Sequence, residues 1–262
     1  MKTNQVIEHI VKWLKDYAAN ASVKGFVVGV SGGIDSAVTA SLCAKTDLDV
    51  LLIEMPIHQA ESQVNRAWEH MRKLESKYPK VKTQNVNLSP VFDGFLNVLP
   101  EEPSSDSGKM ALVNTRARIR MTTLYYFGQL NGLLVTGTGN KVEDFGVGFY
   151  TKYGDGGVDL SPIADLVKTE VFALGKELDV PESILVAPPT DGLWGDDRTD
   201  EDQIGASYPE LEWAMEQKDM SKSTEDFEGR EKEVFSIYSR LNRINQHKMN
   251  PIPVCEIPRE MK

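Results

Sequence analysis

The hexapeptide Ser31-Gly32-Gly33-Ile34-Asp35-Ser36 brings two glycines, two hydroxyls and a carboxylate together between two very different segments. Before it runs the apolar Gly25-Phe26-Val27-Val28-Gly29-Val30, and after it an Ala-rich stretch continues to Ala44. This order reads as strand, tight turn and helix, and a turn so placed binds anions. Glycines let the backbone close on a phosphate, successive N–H groups point inward, and the helix dipole adds roughly half a positive charge at the helix N-terminus. Ser31 and Ser36 supply hydroxyl donors. The turn lacks the Gly-Lys-Ser/Thr ending of loops that hold a transferable terminal phosphate, so a different phosphate group is implied. Taken alone, the pattern also fits a helix-capping turn without a ligand. Asp35 alone fits a cap as well as a hard oxygen ligand. Farther along, Arg116, Arg118 and Arg120 alternate, and on a helix Arg116 and Arg120 share a face while Arg118 points away from both.

These residues need a scaffold. Val6, Ile7, Ile10, Val11, Leu14 and Tyr17 recur at three- and four-residue spacing and predict an amphipathic first helix. Strands are expected over 25–30, 48–55, 83–87 and 132–136, with helices over 36–44, 61–77, 114–130, 168–178 and 227–247. Alternation of this kind indicates an α/β protein, a parallel sheet covered by helices. Residues 90–108 read as a loop with a short helical turn near 92–97, and 187–203 as an irregular acidic stretch. Residues 145–157 contain five glycines among aromatics and charges, which suits a segment that closes over a ligand.

The 262 residues, 40% apolar and 26% charged, suit a single domain spanning 1–262. A net charge of −10 argues against a broad nucleic-acid-binding surface. Cys43 and Cys255 lie far apart, outside any metal-ligand spacing. The N-terminus carries charges throughout, so no signal peptide is expected, and no apolar run approaches membrane-spanning length. A cytoplasmic protein is the expectation.

The Ser31 to Ser36 motif resembles the pyrophosphate loop of the N-type ATP pyrophosphatases, which cut ATP between its α and β phosphates. More specific stretches resemble the NAD synthetases. They are Gly137-Thr138-Gly139-Asn140-Lys141-Val142-Glu143-Asp144, Thr151-Lys152-Tyr153-Gly154-Asp155-Gly156-Gly157, Asp159-Leu160-Ser161-Pro162 and Lys168. Pro189-Thr190-Asp191-Gly192-Leu193, Thr199-Asp200-Glu201-Asp202-Gln203-Ile204-Gly205 and His247-Lys248 extend the resemblance, which covers about residues 29–248.

The resemblance implies a doubly wound, mostly parallel sheet with helices on both faces, of the adenine nucleotide alpha hydrolase-like kind. It implies ATP contacts from Gly29, Val30, Ser31, Gly32, Gly33, Ile34, Asp35, Ser36, Thr138, Lys168 and Thr190, and a magnesium ion held by Asp35 and Glu143. Arg118, Lys152, Asp159, His247 and Lys248 match the positions that contact deamido-NAD. Asp35 and Lys168 would act at the reacting phosphates, and Asp155 or Asp159 would draw in ammonium and take its proton. The segment Leu51-Leu52-Ile53-Glu54-Met55-Pro56 departs from the pattern, since it lacks the arginine many relatives carry near the adenine. The reaction implied is last-step NAD synthesis, with ammonia as donor because neither cysteine has the setting of a glutaminase nucleophile. A homodimer is implied by the resemblance alone. A tRNA-modifying relative and a catalytically silent nucleotide sensor are the competing readings. The acidic composition weighs against the first, and the full set Asp35, Glu143, Lys168 and Lys152 against the second.

Overall fold

The computed structural model describes residues 1–100, 105–188 and 199–262. Four strands, β1 (Gly25–Gly29), β2 (Asp49–Glu54), β3 (Val81–Asn85) and β4 (Leu133–Val135), form a sheet in the order β3-β2-β1-β4. Every pairing is parallel, with Phe26 of β1 opposite Val50 on one side and Leu134 on the other. The chain thus winds outward from β1 to β3 and then returns to the far side of β1. Such a reversal of winding opens a crevice beyond the carboxyl ends of β1 and β4.

Side chains on β1 alternate between two cores, as a strand covered on both faces requires. Phe26 and Val28 join the core formed with α1 (Thr3–Asn20), α2 (Ile34–Ala44), α3 (Glu61–Lys77) and α6 (Lys168–Glu177). Val27 joins the opposite core with α4 (Ser89–Leu96) and α5 (Asp106–Asn131). On α2 every residue except Asp35 is buried, and Ala37, Ala40 and Ala44 let neighbours approach closely. Two short helices, α7 (Glu182–Leu185) and α8 (Asp200–Ile204), precede α9 (Tyr208–Asp219), α10 (Gly229–Ile244) and α11 (Gln246–Met249). A separate apolar cluster joins α9 and α10 to a π-helical turn over Val142–Val147.

Several expected elements shift. On α1 the buried stripe ends in Ala18, while Tyr17 is exposed and packs on Trp13 at a ring separation of 5.5 Å. Strand β3 starts at Val81, its one fully buried residue, two positions earlier than expected. Helix α5 begins eight residues early because Ser105 caps it, accepting from the Gly108 N–H at 3.1 Å. Pro90 is compatible with α4 because it falls in the first turn, where no amide donor is needed.

Candidate active site

The loop after β1 folds back on itself through its own hydroxyls. Ser31 Oγ lies 3.1 Å from Ser36 Oγ and accepts from the Gly33 N–H at 3.2 Å, while Ser36 Oγ donates to the Gly33 carbonyl at 3.0 Å. The hydroxyls therefore shape the loop instead of waiting as free donors. Gly33 is the N-cap residue of α2 and has no side chain to cap with, so the first helical N–H groups remain available to an anion. Gly32 has φ +85°, and a Cβ there would lie 2.6 Å from the Gln63 carbonyl oxygen on α3. Glycine is required on both counts.

Asp35 does not cap the helix. Its Oδ1 accepts from Asn140 Nδ2 at 3.1 Å and its Oδ2 from Lys168 Nζ at 2.6 Å. Lys168 Nζ also donates to Glu143 Oε1 at 2.9 Å and sits 4.6 Å from the Tyr208 ring centre. The lysine is 3% exposed, so one ammonium is sealed between two carboxylates. Asn140, fully buried, orders this junction by also accepting the N–H groups of Val142 and Glu143 at 3.1 Å. Tyr208 donates its hydroxyl to Glu143. Burial raises the Asp35 carboxyl above its ordinary range more than Lys168 lowers it. For Glu143 burial pushes the same way but is outweighed by the Lys168 charge and the Tyr208 and Lys168 hydrogen bonds, so its carboxyl titrates below its ordinary value. The Lys168 ammonium, though desolvated, is held charged by both carboxylates.

A cavity of about 170 Å³ opens over these groups. It is lined by residues 31–36, by Thr138, Glu143, Lys168 and Asp155, and also by Arg66, Asp144 and Asp200. Five carboxylates, from Asp35, Glu143, Asp144, Asp155 and Asp200, thus face two cations, Arg66 and Lys168. Desolvation and mutual repulsion push the Asp144 carboxyl well above its ordinary range, and burial raises Asp155. Such a cavity calls for further positive charge. Among the described residues no cluster of three or more metal-ligating side chains is preformed. A pair of hard carboxylates beside a phosphate loop fits magnesium, which keeps several waters and completes its shell with substrate phosphates.

A second cavity, of about 540 Å³, shares Ser31, Thr138, Phe149 and Asp155 with the first. Gly29, Val30, Glu54 and Arg120 line one end of it, and Tyr150, Thr151, Asn245 and Lys248 the other. The arginine absent after β2 has a spatial substitute, since Arg120 of α5 donates from Nε to the Met55 carbonyl at 3.0 Å. Arg116 lies over the Phe92 ring at 4.7 Å, while Arg118 turns the other way to the Lys152 carbonyl at 3.3 Å. Lys152 Nζ in turn bonds the His247 carbonyl. Arg118, Lys152, His247 and Lys248 therefore form one basic chain running out from the second cavity.

Asp159 stands apart from both cavities. Its Oδ2 accepts from the Val135 N–H at 2.8 Å and its Oδ1 from the Tyr125 hydroxyl at 3.0 Å, so it ties the end of the sheet to α5. Thr190 lies outside the described residues. The glycine-rich segment 145–157 is stitched down. Asn242 donates to the Gly146 carbonyl at 2.7 Å, Asn245 to Val147 at 2.8 Å, and Lys248 to Gly148 and Tyr150, both at 2.8 Å. In this structure residues 146–150 thus form a wall held by α10, α11 and the residue between them. Arg66, Asn140 and Tyr208 escape a reading of the sequence, because their roles depend on contacts between distant elements. Asn140 alone lies within a motif that could have flagged it.

The sequence model of the NAD synthase family matches residues 6–252. An NH(3)-dependent NAD(+) synthetase from Carboxydothermus hydrogenoformans is 36% identical over 252 residues, covering 96% of each chain. One from Finegoldia magna is 38% identical over 213 residues, covering 81% of this chain and 84% of the relative. Among solved structures, an NMN synthetase from Francisella tularensis superposes with a TM-score of 0.83 at 30% identity, covering 99% of both chains.

Proposed function

The chain belongs to the NAD synthase family, and from that membership we propose that it makes NAD by amidating deamido-NAD with ammonia at the expense of ATP, releasing AMP and pyrophosphate. The observation that carries the reading is the convergence of the open α2 N-terminus, Lys168 and the Asp35–Glu143 pair in a small cavity that shares Ser31, Thr138, Phe149 and Asp155 with a larger one.

A carboxylate is a poor electrophile and ammonia cannot displace its oxygen. In this reading the deamido-NAD carboxylate oxygen attacks the α-phosphorus of ATP. A bond forms between that oxygen and the α-phosphorus as the α–β phosphoanhydride bond breaks, and pyrophosphate leaves. The free N–H groups of α2, Lys168 and Arg66 carry the negative charge that builds on the leaving group. Asp35 and Glu143 would hold magnesium, which supplies charge neutralisation across the phosphates. Ammonia then adds to the acyl carbon, the bond to AMP breaks, and the nitrogen gives up a proton. Asp155 is the better acceptor, since it lines both cavities while both oxygens of Asp159 are engaged. The basic chain from Arg118 to Lys248 suits the phosphates of the dinucleotide, and the wall 145–150 keeps water from the acyl-adenylate.

Free ammonia is the donor in this account. Cys43 is buried within α2 with its thiol pushed up to about 12 by desolvation, which removes it as a nucleophile. No helix among the described residues is long and apolar enough to cross a membrane.

The Francisella neighbour favours one second reading, the same chemistry on the mononucleotide acid. Product analysis by mass spectrometry, with ATP, magnesium and either deamidated nucleotide, separates the two. The expected result is equal NAD, AMP and pyrophosphate from deamido-NAD with ammonium and none with glutamine. Faster turnover of the mononucleotide acid would replace the dinucleotide reading, and absence of AMP would end both.

A further inference from the structure

Glu54, the last residue of β2, is 4% exposed and lines the larger cavity. A carboxylate so placed needs hydrogen-bond donors. Asn85, opposite it on β3, donates to Oε2. Among the described residues none donates to Oε1, and that oxygen is not among the sealed unsatisfied atoms, so it opens onto the cavity. Arg120 contributes positive charge nearby, and it donates from Nε to the Met55 carbonyl at 3.0 Å and from Nη2 to Gln59 at 2.9 Å. A buried acceptor therefore stands fixed from behind and open in front.

Its position relative to the phosphate loop says what could meet it. Gly29 of β1 pairs with Ile53 of β2, and the Val30 N–H donates to the Ile53 carbonyl at 2.9 Å, so Glu54 lies one strand spacing, roughly 5 Å, from the start of the loop. A nucleotide with its pyrophosphate in the small cavity and its α-phosphate near Ser31 and Thr138 extends its nucleoside toward this corner. Met55 and Leu124 give that corner apolar side walls beside Gly29. Gly29 keeps the space narrow, since a Cβ on it would come within 3.1 Å of Met55 Cε and 3.4 Å of Leu124. The basic chain through Lys152 and Lys248 lies at the opposite end of the cavity, which leaves the Glu54 corner to ATP.

We propose that Glu54, oriented by Asn85, reads the 6-amino group of the ATP purine and so makes the enzyme select adenine over 6-oxopurines. This inference rests on the reading of the chain as an ATP-consuming ligase. An amino group at position 6 donates to Oε1, whereas a 6-oxo group sets an acceptor against an acceptor and leaves the buried carboxyl unpaired, which costs selectivity. Burial pushes the Glu54 carboxyl up to about 7 against the pull of Arg120 and Asn85. Ionised, the carboxylate only accepts and rejects a 6-oxo group; protonated, its O–H can donate to one, so the preference for adenine is largest above about pH 7 and narrows below it.

The test compares ATP with inosine triphosphate, which differs at position 6, in steady-state kinetics at saturating ammonium and deamido-NAD. Expected is a wild-type preference for ATP of roughly 100-fold in kcat/KM. Glu54→Gln should lower that value for ATP by about tenfold or more, through KM, and change the inosine nucleotide by less than about threefold. Asn85→Ala, which only loosens Glu54, should shift the ratio the same way by less. Equal losses with both nucleotides would reduce Glu54 to a structural part and overturn the proposal. A change confined to the deamido-NAD KM would overturn it too, by placing Glu54 against the other substrate. If no NAD forms with wild-type protein, the ligase reading fails, and equilibrium dialysis of the two triphosphates still decides Glu54 by the same ratio.

Discussion

Lys168 holds together two carboxylates that would otherwise repel each other, and its position between Asp35 and Glu143 is the one a bridging cation would take. Replacing Lys168 with Met strands both acids. Loss of one partner from a buried ion pair costs about 3–5 kcal/mol, so the midpoint of thermal unfolding should fall sharply in EDTA and recover in part with millimolar magnesium. Turnover should drop by about a hundredfold or more, since charge stabilisation at the leaving group is lost. Recovery of stability without magnesium would contradict the bridging role. His70 offers a pH prediction. It is 1% exposed, donates from Nε2 to the Ala37 carbonyl at 2.9 Å with Ser41 Oγ 3.2 Å away, and burial lowers it to about 4 from 6.5. Between those values the unfolded chain binds a proton that the folded chain refuses. Stability from neutral His70 is thus complete above pH 6.5 and drains as pH falls toward 4, by about 3 kcal/mol in all. Urea unfolding at pH 7 and pH 5 should show this slope in the wild type and a shallower one in His70→Phe. At this scale the sequence exposes Asp35, Glu143 and Lys168 through the motifs that contain them. It hides Tyr208 and Arg66, whose side chains matter only because α9 and α3 fold against the loop.

Elements place these residues through close approaches. The loop after β1 nearly touches α3 at Gly32, so Gly32→Ala should raise the ATP KM and cost about 1–3 kcal/mol of stability through φ strain alone. An unchanged melting temperature would show that the backbone can move away. The wall 145–150 hangs on Asn242 of α10, Asn245 between the two helices and Lys248 of α11. Asn245→Ala should therefore open the segment to limited proteolysis and raise the deamido-NAD KM, while leaving the ATP KM within about twofold, since the Val147 carbonyl loses a single donor. Equal protection in the variant would contradict this. Periodic helices are legible in sequence, and α3 runs over the range its pattern predicts, Glu61–Lys77. The start of α5 is not, because its Ser, Asp and Gly residues read as loop until the Ser105 cap is seen. The packing role of the segment 145–157 is hidden for a related reason. Its glycines also make room, as at Gly148, where a Cβ would lie 2.4 Å from Asn245.

On the scale of the molecule, the winding order β3-β2-β1-β4 gathers the ends of β1, β2 and β4 around one crevice, and the two cavities occupy it. Alternation of strand and helix makes that architecture legible, while the packing of α8 to α11 against the crevice follows from no local pattern. One face of α5 leaves Tyr125, Tyr126 and Leu130 exposed, and it lies next to Arg118 in the basic chain. The homodimer that the family resemblance implies would bury an exposed apolar face, and this one is the candidate. Sedimentation should give a dimer for the wild type and a monomer for Leu130→Glu, and a wild-type monomer would contradict it. The central claim is that the crevice adenylates a carboxylate, and the most direct measurement follows oxygen from that carboxylate. Deamido-NAD labelled with oxygen-18 in its carboxyl group is turned over with ATP and ammonium, and the products are weighed. Adenylation puts one labelled oxygen in the phosphate of AMP and none in pyrophosphate. Label-free AMP, or ADP with labelled orthophosphate, would mean that the carboxylate is never joined to the α-phosphorus.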